Sequence, residues 1–243
     1  MSVRPDLHAR GTDRGGLNGG AVMWSERPLT GESLPDKHLC LTFDDGPADP
    51  ATLEIARYLA EQQIPATFFV VGDEAAKHRE MLRELIGLGH TLGNHTRSHT
   101  RLTASTTTDK WAVEECLAPE RTLLEAGAQR PIAFRAPYGA WNRRLAYVFN
   151  NDRSLRDSHA GPIGWDIDGE DHRYWREGRS PEDCARNYLA AIESRRSGIV
   201  LFHDRTADAE KDAANRTPEM IRLLMPELQA RAYRFTGLPR HTK

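Results

Sequence analysis

The stretch "LCLTFDDGPADP", Leu39–Pro50, joins an apolar run to two adjacent carboxylates, Asp44 and Asp45, and then to Gly46-Pro47. The apolar run reads as a buried strand that starts at His38 and ends at Phe43. Gly and Pro then break it. Asp49–Gln63 follows with apolar residues at Leu53, Ile55, Ala56 and Leu59, a helical spacing with Asp49 as its N-cap. This strand–turn–helix unit sets the pattern for the chain. Strands are expected at Ala66–Gly72, Thr91–Asn94, Ile132–Pro137, Pro162–Asp168, Gly198–His203 and Tyr233–Gly237. Helices are expected at Glu74–Leu88, Asp109–Ala126 (with a kink at Pro119), Arg143–Phe149, Pro181–Arg196 and Pro218–Ala230. Such alternation argues for parallel strands covered by helices, and about seven units argue for a distorted (β/α)7-type barrel, an α/β fold.

The 243 residues suffice for one large domain, and 39% hydrophobic residues allow a sizeable core. Residues 1–30 are polar and glycine-rich and read as a flexible lead-in, leaving 31–243 as the folded domain. A formal net charge of −2 gives no bulk-charge case for nucleic acid or an anionic membrane. No apolar run approaches the roughly 18 residues of a membrane helix. The N-terminus lacks the apolar centre of a secretory signal, so a cytoplasmic protein is expected, or a secreted one whose leader has been removed. The three cysteines are far apart and odd in number, which suits packed thiols rather than a disulfide scaffold. Oligomeric state is not fixed by the sequence.

The unusual polar residues cluster after strand ends, the edge where parallel α/β folds assemble active sites. In "NHTRSH", His95 and His99 stand four apart. On a helical turn that spacing puts both rings on one face, and two imidazoles with a carboxylate make an open zinc site. Two surface histidines beside a polar loop would look the same. The pair Asp44–Asp45 could be only a turn. Beside a divalent cation, one carboxylate could ligate while the other accepts a proton, since neighbours on an extended strand point to opposite faces. Arg135, in "RAPYG", could grip a carboxylate or lie at the surface. The Tyr138 N–H could face a developing oxyanion. His203, ending "GIVLFH", could be a general acid, with Asp168 of "WDIDGED" orienting it and raising its pKa, or simply a satisfied core histidine.

Taken in order, "TFDDGP" (Thr42–Pro47), "HTRSH" (His95–His99), "RAPY" (Arg135–Tyr138) and "LFH" (Leu201–His203) resemble four motifs of the NodB-homology polysaccharide deacetylases, carbohydrate esterase family 4. The resemblance spans Leu39 to about Leu238. It implies a metal-dependent hydrolase that removes N-acetyl, sometimes O-acetyl, groups from a sugar. It implies Asp45, His95 and His99 as metal ligands, Asp44 as base tethered by Arg135, and His203 as acid. Tyr138 N–H is implied as oxyanion donor and Leu201 as a wall for the acetyl methyl. Zn²⁺ is the default metal, with others such as Co²⁺ able to serve.

The remaining family motif, D-x-x-D-W, is imperfect: Asp168-Gly-Glu-Asp171 is followed by His172. Tyr174 or Trp175 could supply the missing groove ring or simply pack. Trp141 and Trp165 are further stacking candidates. The expected substrate is an acetylated sugar, such as a chitooligosaccharide or another soluble GlcNAc-containing glycan. The rival readings are an O-acetyl (acetylxylan-type) esterase and a silent sugar-binding module. The polar stretch 203–217 could cap the site or be a solvated loop.

Overall fold

A computed structural model describes residues 24–205 and 215–238. The first unit matches the opening stretch: β1 (His38–Asp44) runs into α1 (Ala51–Glu61). The helix starts from Pro50, and Asp49 makes no side-chain cap. Then come β2 (Ala66–Val70), α2 (Gly72–Lys77), α3 (Arg79–Gly87) and β3 (Thr91–Asn94). The single helix expected at 74–88 breaks at His78, whose backbone leaves the helical region at φ −118°, ψ 42°. The second expected helix divides at Pro119, where proline cannot continue the hydrogen-bond ladder, into α4 (Asp109–Leu117) and α5 (Glu120–Ala126).

The chain continues through β4 (Ile132–Ala133), α6 (Arg143–Asn151), α7 (Arg153–Ser158), β5 (His159–Ala160), β6 (Ile167–Asp168) and α8 (Asp171–Arg176). It ends with α9 (Pro181–Arg195), β7 (Gly198–His203), α10 (Thr217–Ala230) and β8 (Arg234–Phe235). Every strand pairing is parallel, in the order β3-β2-β1-β7-β6, with β8 beside the start of β1 and a separate β4-β5 pair. The expected strands at 132–137 and 162–168 are thus mostly irregular. Single bridges close the ring: Asn94 to Phe134 joins β3 to the β4 segment, and Leu29 to Ile163 fills the gap before β6. The result is the distorted (β/α)7-type barrel.

Alternation along β1 divides its side chains between two environments. Leu39, Leu41 and Phe43 face the main core against the outer helices, with Ile55, Leu59, Tyr188 and Met220. Cys40 joins the smaller inner cluster of Leu29, Phe69, Ile163 and Ile199. Cys40, Cys116 and Cys184 are all buried free thiols. A third cluster forms around Trp24, Phe134 and Phe149. Trp24 is 2% exposed and meets Phe149 edge-on at 4.8 Å. Packed chain therefore begins at least at residue 24, inside the stretch read as a flexible lead-in; residues 1–23 lie outside the described residues, as do 206–214 of the polar stretch. Among the described residues no helix is long and apolar enough to cross a membrane.

Candidate active site

The parallel register brings the chemistry to one level. At the C-terminal edge Asp44 pairs with Phe69 on β2 and with His203 on β7, and Val70 pairs with Asn94 on β3. β1 ends at Asp44, and Asp45 turns the chain with a left-handed φ of 80°. This overturns the expectation that strand alternation sends the two carboxylates to opposite faces. Both reach the same imidazole: His95 Nε2 is 3.7 Å from Asp44 Oδ2 and 3.4 Å from Asp45 Oδ1. Gly46 is required next. A Cβ there would meet Asp204 Oδ2 at 2.1 Å, because that buried carboxylate accepts the Gly46 N–H at 3.0 Å and the Thr52 hydroxyl at 2.5 Å. Burial pushes the Asp204 carboxyl up to about 7. Asp204 had a sequence signal only in its position directly after His203.

Arg135 pairs with Asp44. It is fully buried. Its Nη1 donates to Asp44 Oδ1 at 2.7 Å and to Thr42 Oγ1 at 2.8 Å. Its other nitrogens donate to the carbonyls of Ile163 and Gly164. The guanidinium lies over the Phe69 ring at 4.2 Å and near Trp165 at 5.6 Å. One Asp44 oxygen is thereby fixed while the other looks into the site.

His95 and His99 do not sit on a helical turn. They bracket an irregular loop in which Thr96 and His99 both have left-handed φ, at 66° and 57°. The His95 Nδ1 bonds the Arg135 carbonyl at 2.9 Å, which requires its proton there and leaves Nε2 as the free donor atom. His99 Nε2 is 3.1 Å from Asp45 Oδ1. Bonds of about 2.0–2.1 Å in a tetrahedral zinc site put neighbouring ligand atoms about 3.3 Å apart. The 3.1 Å and 3.4 Å separations from Asp45 Oδ1 fit that edge, and all three donor atoms lie within 4.8 Å of one another. Burial alone would push Asp45 up, but its bonds to His95 and His99 hold it well below the usual carboxylate range. Burial likewise opposes a proton on His95, yet Asp44 and Asp45 outweigh it and raise its pKa. The same negative potential favours any cation at that nitrogen. The donor set therefore fits a divalent metal.

His203 is oriented by Asp171, not by the expected Asp168. Asp171 is fully buried at the start of α8. Its Oδ1 accepts His203 Nδ1 at 2.7 Å and its Oδ2 accepts the His203 N–H at 2.7 Å. The Asp168 side chain instead caps the next turn, accepting the Glu170 N–H at 2.7 Å from an exposed position. Burial works against charge on His203, but Asp171 most of all, then Asp45 and Asp44, raise its pKa to about 10. The signal for Asp171 was present as the second acid of the imperfect motif.

Of the aromatic candidates, Trp175 and Tyr174 are core residues, 3% and 7% exposed. The Trp175 indole N–H is spent on Thr217 Oγ1 at 3.0 Å, which also donates to Asp171. Trp175 is therefore not a groove ring. Trp165 and Trp141 do line an open cleft of about 320 Å³ with Tyr138, Gly139, Pro28 and Thr30. Tyr138 is half exposed, holds φ 60°, and leans on His99 with ring centres 4.6 Å apart. Leu201 is buried beside Thr42 and Asp168. His172, where the motif has Trp, packs edge-on against His203 at 5.0 Å.

The chain is similar to known proteins along most of its length. Residues 31–152 match the family model described as polysaccharide deacetylase. The chain is 32% identical over 224 residues to the chitooligosaccharide deacetylase of Rhizobium leguminosarum bv. trifolii, covering 88% of this chain and 96% of that one. The fold is shared with the Bc1960 peptidoglycan N-acetylglucosamine deacetylase in complex with 4-naphthalen-1-yl-N-oxidanyl-benzamide, at TM-score 0.68 and 24% identity over 84% of this chain and 87% of that one. It is also shared with a family 4 acetyl xylan esterase from Clostridium thermocellum in complex with a cobalt ion, at TM-score 0.64 and 24% identity over 83% and 88%. On the match along most of its length, and on the fold that carries it, the chain belongs to the polysaccharide deacetylase family with NodB homology, carbohydrate esterase family 4.

Proposed function

We propose that this protein is a metal-dependent deacetylase that removes N-acetyl groups from a chitooligosaccharide-like glycan and releases acetate. The carrying observation is the division of labour at Asp44–Asp45. Asp44 is clamped on one oxygen by Arg135 and open on the other, and Asp45 meets both His95 and His99. The likeness to a chitooligosaccharide deacetylase along 88% of the chain supports the substrate class.

In this reading Asp45, His95 and His99 hold the cation, Zn²⁺ by donor type, with Co²⁺ an adequate substitute. When bound, it supplies Lewis acidity and lowers the pKa of a water. Asp44 would accept the proton of the attacking water on its free oxygen, while Arg135 holds the carboxylate aimed. The Tyr138 N–H, presented by its left-handed turn, donates to the oxyanion as the acetyl carbon becomes tetrahedral. His203, held protonated by Asp171, gives its proton to the departing nitrogen. Leu201 walls the acetyl methyl, and Trp165 and Tyr138 stack on the sugar.

The test is Asp44→Asn. Acetate release from N-acetylated chitooligosaccharides should be nearly abolished while zinc stoichiometry stays at the wild-type value. Wild-type release by that variant would refute the base. Faster release from acetylated xylooligosaccharides by the wild type would move the substrate class to O-acetyl esters.

A further inference from the structure

Glu115, on α4, is a buried carboxylate that the reaction does not use. It is 1% exposed and, among the described residues, has no ion-pair partner. All its side-chain hydrogen bonds go to one residue of the histidine loop. Oε2 accepts the Ser98 N–H at 2.9 Å, and the Ser98 hydroxyl lies 3.0 Å from both carboxylate oxygens. Its own carbonyl accepts the Arg97 N–H at 2.8 Å. Helix α4 therefore grips the loop midway between His95 and His99.

That grip has strain to hold. Thr96 and His99 adopt left-handed backbone that β-branched and bulky residues disfavour. Strained backbone persists only where its surroundings over-determine it. The Thr96 hydroxyl does not contribute, being buried with no partner. Backbone bonds fix only the loop's near side: Thr96 N–H to Asn94 Oδ1, and the carbonyls of Thr96 and Arg97 to the N–H groups of Gly72 and Asp73. Beyond Arg97, Ser98, next to His99, is held by Glu115 through its N–H and hydroxyl and by the Thr100 hydroxyl at 2.7 Å.

We propose that Glu115 is a positioning residue for the metal centre, pre-setting His99 through Ser98. The inference rests on the metal reading of Asp45, His95 and His99. Partners outside the ligand shell usually contribute about 10- to 100-fold in metal affinity. Glu115→Gln keeps the shape but replaces one of the two acceptor oxygens with an NH₂ group that cannot accept from Ser98. Ser98→Ala removes the hydroxyl contacts from the loop side.

The experiment is competition of zinc against a chromophoric chelator with the full chain, alongside thermal melts of metal-free protein. Glu115→Gln should weaken zinc by about 10-fold or more, and Ser98→Ala by less. Acetate release should recover at saturating zinc. A folded Glu115→Gln or Ser98→Ala protein with wild-type zinc affinity would overturn the proposal, including one whose metal-free melting point alone falls. Asp45→Asn separates the two levels. If it binds zinc as the wild type does, the metal reading itself fails; if it loses zinc while both other variants keep it, only the role of Glu115 fails.

Discussion

Asp171→Asn tests the acid most sharply. The raised His203 pKa, from 6.5 to about 10, represents roughly 5 kcal/mol of preference for the imidazolium, at 1.36 kcal/mol per unit. Burial opposes that charge, and Asp171 is the foremost group overcoming it. A neutral amide removes its Coulombic help. It also faces trouble with hydrogen bonds, because both carboxylate oxygens receive donors: His203 Nδ1 and the His172 N–H on one, the His203 N–H and Thr217 Oγ1 on the other. The Asn NH₂ must oppose at least one N–H, which costs about 1–3 kcal/mol of stability. The sign for catalysis follows. A histidine with a raised pKa is a competent acid below that value and loses the role as pH rises through it. In Asp171→Asn the alkaline limb of kcat should move down, toward or below neutral. At neutral pH kcat should drop by about 10²–10⁴, the usual worth of a positioned acid. Asp168→Asn should stay closer to wild type, because its carboxylate hydrogen-bonds the Glu170 N–H of a local turn and not His203. The assay is initial-rate acetate release across the neutral and alkaline range. An Asp171→Asn enzyme with the wild-type rate and limb, or an Asp168→Asn enzyme that is equally damaged, would refute the assignment.

Other perturbations probe separate parts of the account. Arg135→Leu leaves Asp44 buried and unpaired and should cost about 3–5 kcal/mol in chemical denaturation; an unchanged midpoint would contradict the buried clamp. Gly46→Ala drives a methyl into Asp204 and should lower both the melting point and zinc affinity, whereas a neutral outcome would show that the β1–α1 turn is slack. Trp175→Ala should destabilise by about 3–5 kcal/mol as a core cavity. Trp165→Ala should instead raise KM for glycans while the melting point holds, and the reverse pattern would exchange their roles.

The strands buried on both faces were the most legible. β7 begins and ends where its apolar run does, because such strands carry continuous apolar sequence, and β3 keeps the expected bounds Thr91–Asn94. The 132–137 and 162–168 runs, interrupted by Arg135 and by Gly164 and Asp166, hold only two-residue ladders and otherwise meet their neighbours through single bridges. Trp24 was hidden by its polar, glycine-rich surroundings. Motif order brought together Asp44, Asp45, His95, His99, Arg135 and His203. What it could not carry were relations set by the fold. Whether Asp168 or Asp171 serves His203 depends on where α8 begins. Whether Trp175 faces solvent depends on which side of that helix packs inward. Glu115 and Asp204 had no spacing signal, because their partners lie 17 and 158 residues away.

The central claim is that one cation, held by Asp45, His95 and His99, enables deacetylation. The direct measurement is acetate release from an N-acetylated chitooligosaccharide by chelator-stripped protein during a zinc titration. The account predicts no release at the start, a linear rise that saturates near one zinc per chain, and no rise in Asp45→Asn. Full activity in stripped protein, or an Asp45→Asn titration matching the wild type, would contradict it.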